Sequence, residues 1–417
     1  MKSKSGKWYP WAVVALLWGV ALLNYMDRQM LSTMKSAIMA DIIELDKAEN
    51  FGRLMAVFLW VYGLMSPAAG LIADRVNRKL LIAGSLGVWS FVTLAMGFAK
   101  DYQQLYLLRA IMGISEALYI PAALSLIADW HTGSTRSLAV GIHMTGLYTG
   151  QALGGFGATV AASWSWQSAF MSFGFVGIIY SCILLIFLRE RRTFQAPGKK
   201  VNHPSAESSR YHVLYSLRLL LSRPVFWIIL LYFAVPSLPG WAVKNWLPTL
   251  FAESLGIEMT KAGPLSTITI AVSSLAGVIS GGLLADRWIT SNLRGRMYTS
   301  AAGLLFTIPA LLLLGFGSSL FLILAGAILF GLGFGMFDAN NMPVLCQFVS
   351  PGYRATGYGL MNMTGVFAGA LITNFLGKST DSGSLGHDIA ILSFPVLVAV
   401  LLFLIFLKPS GTDKVEN

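Results

Sequence analysis

Residues 70–79 read GLIADRVNRK and residues 282–291 read GLLADRWITS. Each stretch carries a glycine, three residues and then an Asp-Arg pair, and each closes a long apolar run. A second correspondence lies further along: RAIMGISEALYIPA (residues 109–122) aligns with LFGLGFGMFDANNMPV (residues 329–344) on Gly113/Gly335, Glu116/Asp338 and Pro121/Pro343. A pattern that recurs at matched places in two halves of a chain is the mark of internal duplication. The only long polar stretch, residues 189–223, falls between the two copies. It divides the chain into residues 1–188 and 224–417, with the polar stretch as linker.

The runs around these motifs set the solvent. The 417 residues are 55% hydrophobic and 12% charged, with 42 glycines, a composition foreign to soluble globular domains. Apolar stretches near the roughly 20 residues that a helix needs to cross about 30 Å of hydrocarbon recur from end to end. They span residues 10–34, 51–73, 79–98, 102–125, 137–161, 167–188, 224–253, 264–285, 295–315, 319–344, 354–376 and 388–407. The reading is therefore an all-α membrane protein of twelve transmembrane helices, arranged as two six-helix pseudo-symmetric bundles. The first stretch is too long for a signal peptide and lacks a small-residue cleavage site, so it is read as a retained span.

The net charge of +11 speaks of orientation and does not call for nucleic acid. Basic residues gather in alternate loops, as in Arg75, Arg78 and Lys79 or Arg189, Arg191 and Arg192, while intervening loops such as residues 41–49 are acidic or neutral. By the positive-inside rule this puts both termini and the linker in the cytoplasm, in a cell (inner) membrane. Cys182 and Cys346 both fall in predicted spans, so neither a disulfide framework nor a metal cluster is implied. With no CxxC, HExxH or phosphate-binding glycine loop, no cofactor is expected.

Charged residues inside the spans carry the functional reading, since a charge at the bilayer centre costs about 3 kcal/mol or more and normally faces a wet cavity. Asp27 and Arg28 lie about seven residues from the outer end of the first span, roughly 10 Å deep. Arg109 lies about as far into the fourth span, and Glu116 is two helical turns further on the same face. Asp27, Arg28, Arg109 and Glu116 are expected to form one connected network, with Asp27, Glu116 and Arg109 coupling proton movement. A static cluster that fixes helix packing is the plainer alternative, yet a buried ion pair is a poor source of stability.

In the seventh span, Pro236, Pro239, Gly240 and Pro248 should break or kink the helix, and Lys244 follows directly. Lys244 could snorkel outward to headgroups; its irregular polar setting favours a cavity-facing cation instead. Arg28 and Lys244, one from each half, then make a clamp for an anion. Tyr25, Tyr62, Asn245, Asn340 and Asn341 are candidate partners for hydroxyl groups, with Trp246 as a stacking face. His143 and Asp338 stay undecided.

The chain resembles the major facilitator superfamily over essentially its whole length. Residues 70–79 match that family's signature loop between its second and third helices, save that Asn77 stands where glycine is usual. The resemblance implies that Asp74, Arg75, Asp286 and Arg287 act at a cytoplasmic gate. NYMDR (residues 24–28), Tyr62 and Arg109-x6-Glu116 resemble the anion:cation symporters, which include hexuronate and galactonate transporters and the sialin relatives. The same first half is similar to the spinster branch of lysolipid carriers. Expected partners are a small anionic substrate, protons and the lipid bilayer, handled by a monomer that is not an enzyme. The expected activity is proton-coupled import of an acidic sugar. A spinster-like amphiphile carrier and a drug:proton antiporter are the rivals.

Overall fold

The computed structural model describes residues 8–131, 135–190, 215–350 and 353–409, apart from the side chains of Leu71, Asp74, Arg75, Ser137 and Ala355. The first half contains α1 (Tyr9–Thr33), the short α2 (Lys35–Asp41), α3 (Ala48–Arg75), α4 (Arg78–Met96), α5 (Tyr102–Ala117), α6 (Tyr119–Trp130), α7 (Arg136–Gly154), α8 (Gly157–Ser163) and α9 (Trp166–Phe187). After α10 (residues 215–221) come α11 (Pro224–Leu255), α12 (Met259–Ile289), α13 (Gly295–Phe316), α14 (Leu320–Phe348), α15 (Arg354–Asp381), α16 (Leu385–Ile391) and α17 (Ser393–Phe406). Eleven helical segments among the described residues are long and apolar enough to cross a bilayer, α5 with α6 counting as one and α16 with α17 as another. The remaining span is α7 with α8. Its lower hydropathy comes from His143, Thr145, Tyr148, Thr149 and Gln151, of which Tyr148 and Gln151 line an internal chamber. The fold is thus the all-α, twelve-span architecture.

The packing of the first half recurs in the second. In the first half α1 lies against α7, α3 against α5 and α4 against α9; in the second, α11 lies against α15, α12 against α14 and α13 against α17. Without a hydrophobic drive between helices in lipid, such contacts rely on close backbone approach at small residues. Gly150 shows the requirement, since a Cβ there would collide with the Leu22 carbonyl of α1. Gly277 of α12 does the same against Leu332 of α14. Asn77, the departure from the expected glycine, caps α4: its side-chain oxygen accepts from the Leu80 amide at 3.0 Å. Asparagine is a favoured residue at that position.

Of the break or kink expected in the seventh span, the break does not occur. α11 runs continuously from Pro224 to Leu255 with Pro236, Pro239 and Pro248 inside it. A proline removes one N–H from the ladder and frees the carbonyl four residues earlier, and neighbouring groups can take up what it frees. For Pro248 that carbonyl belongs to Lys244, and Gln29 of α1 donates to it at 3.2 Å. The helix survives because a group from the other half satisfies it.

Contacts between the halves concentrate at the end of the bundle where α3 begins and α15 ends. The Asp381 carboxylate at the end of α15 accepts from the Ala48 and Glu49 amides at 2.7 and 2.9 Å. It thereby caps α3, whose own N-cap residue Lys47 supplies no side-chain bond. Lys378 pairs with Glu49 at 3.6 Å, Thr159 donates to the Thr260 carbonyl and Thr267 to the Ala152 carbonyl. Deeper in, Asn362 donates to Ser66 at 3.2 Å. At the opposite end, where α4 and α13 begin, the ion pairs among the described residues stay within one half, Arg78 with Asp129 and Arg296 with Asp286.

Candidate functional site

Residues 24 and 28 stand one turn apart on α1 and so share a face. Both reach the same carboxylate: Arg28 Nε donates to Glu116 Oε2 at 2.6 Å and Asn24 Nδ2 to the same oxygen at 2.9 Å. Glu116, on α5, is fully buried. The Arg28 guanidinium also lies over the rings of Tyr25, Phe58 and Tyr62, at 5.2, 4.8 and 4.8 Å from their centroids, where cation–π attraction holds it. Buried polar atoms remain around this pair, since Arg28 Nη2, Glu116 Oε1, Asn24 Oδ1 and Arg109 Nε have no hydrogen-bond partner among the described residues.

The expected four-residue network is split. Consecutive residues of an α-helix point about 100° apart, so Asp27 turns away from Arg28 and accepts instead from Thr93 of α4 at 2.9 Å. Arg109 is buried without a carboxylate within ion-pair distance among the described residues. It lies over Phe58 at 4.5 Å and donates to the Met112 sulfur. Two guanidinium groups therefore share the Phe58 ring.

From the second half, Lys244 points into the bundle. Its Nζ lies 5.1 Å from the Tyr25 ring centroid and 4.6 Å from that of Trp241. Tyr25 thus receives one cation from each half, and the two charges stand within a small molecule's length of each other. Tyr25 and Lys244 line both central chambers. One, shared with Arg28, Arg109, Trp241 and Asn245, measures about 20 Å³. The other, shared with Tyr148, Gln151, Ser274 and Asp338, measures about 80 Å³. Asp338, midway along α14, lines the larger chamber.

Other candidates are placed elsewhere. Trp246 is fully buried, donates to the Thr373 carbonyl at 3.1 Å and carries the Lys35 ammonium on its face at 5.1 Å. It packs between the halves away from the chambers, and Trp241 takes the chamber-facing place. Burial pushes the Lys35 ammonium, beyond the end of the first span, below its usual range, against the opposing pull of Glu253 and Asp381. Asn340 turns back on its own helix to Met336, Asn341 donates to Asp338 at 3.1 Å, and Asn245 donates to Thr373 while still bordering the smaller chamber. His143 is buried against Tyr119 at 5.9 Å between ring centroids. Asp286 and Arg287 are exposed in the last turn of α12; the side chains of Asp74 and Arg75 lie outside those described.

Sequence reading passed over Asn24, Thr93, Trp241 and Asp381. For Asn24 the signal was present, as it lies four residues before Arg28. A threonine in an apolar span and an acid at an outer helix end carry none.

Residues 17–373 match the family model described as Major Facilitator Superfamily. The Hexuronate transporter of Escherichia coli K12 is 25% identical over 451 residues, covering 100% of this chain and 98% of that one. Protein spinster homolog 1 of Xenopus tropicalis is 28% identical over 320 residues, covering 72% and 59%. Among solved structures, a bacterial homolog of the human lysosomal transporter spinster, inward-facing and unoccupied, superposes with a TM-score of 0.78 at 20% identity over 96% of this chain and 97% of that one.

Proposed function

The chain belongs to the Major Facilitator Superfamily, and from that premise we propose that it is a proton-coupled symporter importing an acidic sugar: a hexuronate, an aldonate or sialic acid. The observation that carries the proposal is the pair of cations on Tyr25, Arg28 from α1 and Lys244 from α11. A drug:proton antiporter has no need of two chamber cations. Here they hold the substrate carboxylate, the Arg28 fork with Nη2 still open and Lys244 as a point charge. Tyr25, Tyr62, Asn245 and Asn341 supply partners for hydroxyl groups, and Trp241 a stacking face.

Coupling follows from competition. Glu116 holds Arg28 in the empty carrier; a substrate carboxylate that takes Arg28 leaves Glu116 as an uncompensated buried charge, which a proton then neutralises. Asp27 is the second proton carrier, and Arg109 stabilises whichever of the two carboxylates is ionised. With its net charge reduced, the loaded carrier can rock between its two facing states. Asp74, Arg75, Asp286 and Arg287 close the cytoplasmic gate when the outer contacts open. One copy of the chain holds the whole site and works as a monomer in the inner membrane, with both termini in the cytoplasm.

A second reading has its own observation. A cleft of about 670 Å³ opens at the outer side between α3, α5 and α15, walled by Trp60, Tyr102, Tyr106 and Leu107 beside Arg53. Such a side entrance suits a spinster-like carrier of a lysolipid. Purified protein in proteoliposomes separates the two. Labelled glucuronate, gluconate or sialic acid is expected to accumulate under an inward acid gradient, and lysolipid is not. Movement of lysolipid with no sugar acid overturns the symporter proposal.

A further inference from the structure

The duplication that defines the fold also duplicates the charge pair. Arg28 stands on the first span of its half and Glu116 on the fourth; Lys244 stands on the first span of the second half and Asp338 on the fourth. Glu116 and Asp338 occupy matched positions between matched glycines and prolines, Gly113/Gly335 and Pro121/Pro343. Yet the two pairs differ in closure. Arg28 and Glu116 touch at 2.6 Å. Lys244 and Asp338 lie within electrostatic range and border the same 80 Å³ chamber, but no ion pair within 4 Å joins them among the described residues. Lys244 rests on the Tyr25 and Trp241 rings. Asp338, solvent-accessible in the interior, takes one hydrogen bond, from Asn341 on its own helix. A cation and an acid that face one chamber without engaging each other leave room for a third charge between them.

We propose that Lys244 and Asp338 are a second coupling dyad, in which Asp338 balances Lys244 in the empty carrier, yields it to the substrate's acid group and takes up one proton in exchange. The inference rests on the sugar-acid reading and extends it to the second half. Its charge balance is simple. Arg28, Glu116, Lys244 and Asp338 sum to zero when all are ionised. One carboxylate held by the two cations makes the site one unit negative, and the proton on Glu116 restores zero. One further proton drawn from the outer solution onto Asp338 gives the loaded site a single positive charge for the membrane potential to act on. On the cytoplasmic side the substrate and the protons leave. The other groups facing the dyad are Tyr25 and Arg28 of α1, Tyr148 of α7 and Tyr358 of α15, while α12 contributes only the neutral Ser274. None of these is a second carboxylate, so among the described residues lining this chamber Asp338 is the carboxylate that can take up a proton in step with the substrate.

The test compares the wild type, Asp338→Asn and Asp338→Glu in proteoliposomes, with the proton:glucuronate ratio read from the reversal potential. D338N is expected to lower that ratio by one while the KM for glucuronate stays within about threefold, and D338E to restore it. An unchanged ratio in D338N, or a KM lost in both variants alike, overturns the dyad and makes Asp338 a packing or hydroxyl-binding residue. Should the wild type move no sugar acid, the transport reading fails by itself, and a substrate-free measurement still judges the dyad. In D338N an amine-reactive reagent should label Lys244 several-fold faster at pH 7, because an amine without its carboxylate neighbour is more often neutral. Equal labelling rates in D338N and the wild type overturn it.

Discussion

The two halves share a fold and hold their charges differently. In the first half Arg28 is locked to Glu116, braced by Asn24 and enclosed by three aromatic rings. In the second half the Lys244 ammonium rests on two ring faces with no ion pair among the described residues, and Asp338 lines the chamber. A buried pair in direct contact is rigid and costly to disturb; a cation on aromatic faces is held by weak, nearly directionless attraction. The first half holds its cation fixed and the second holds its cation loosely.

The comparison breaks most severely at Arg28. Replacing it with alanine leaves Glu116 buried and uncompensated, at a cost of about 3–5 kcal/mol. R28A should lose uptake altogether and melt well below the wild type in a thermal-shift assay. Glu116→Gln, which keeps the shape and drops the charge, should melt near the wild type and lose its response to the acid gradient while still exchanging substrate across the membrane. Retained gradient-driven accumulation in E116Q would remove Glu116 from the coupling.

Lys244 should show the opposite split. K244A is expected to fold normally, since Lys244 rests on ring faces and Asp338, left without its neighbour, can take a proton from the chamber it lines, and to raise the KM for sugar acids by about 10- to 100-fold, the roughly 1.5–3 kcal/mol of a lost charge-assisted contact. Lysolipid movement, if any, should not change. A KM shift within twofold would mean that the clamp has one jaw.

The outer rim is where the halves meet, and there the effects shrink. Asp381→Asn weakens a cap supplied across the halves, worth about 1 kcal/mol. Hydrogen exchange at the amides of Ala48–Asn50 should quicken by about fivefold while the α5 amides are unaffected. Smallest of all, Trp246→Phe removes the hydrogen bond to Thr373 and weakens the Lys35 contact, for about 1 kcal/mol of stability. Uptake by W246F should keep its KM, whereas Trp241→Ala should raise it.

Much of this was open to reading before any coordinates. Twelve spans and the two-fold repeat follow from the sequence because a bilayer admits only helices of a set length, and Asp27, Arg28, Arg109, Glu116 and Lys244 stand out because charge in an apolar span is conspicuous. Partners were harder. Spacing alone placed Asp27 and Arg28 together, but adjacent residues on a helix diverge, and the helix that receives Asp27 offers only Thr93. The prolines of α11 foretold a break because their cost is local; its remedy, Gln29 on the Lys244 carbonyl, comes from 215 residues away. Trp246 was the stacking face expected from the sequence; the packing buries it against Thr373 and gives Trp241, which the sequence did not single out, the place on the chamber.

By itself the sequence determined the number of crossings, their pairing into two halves and which residues bear charge in the membrane, since each of these depends on composition and period along one helix. Only the tertiary structure decided who meets whom. Closing the Arg28–Glu116 pair, leaving Lys244 and Asp338 apart, and capping α3 with Asp381 all depend on the rotation and approach of helices distant in the chain, which no local pattern encodes.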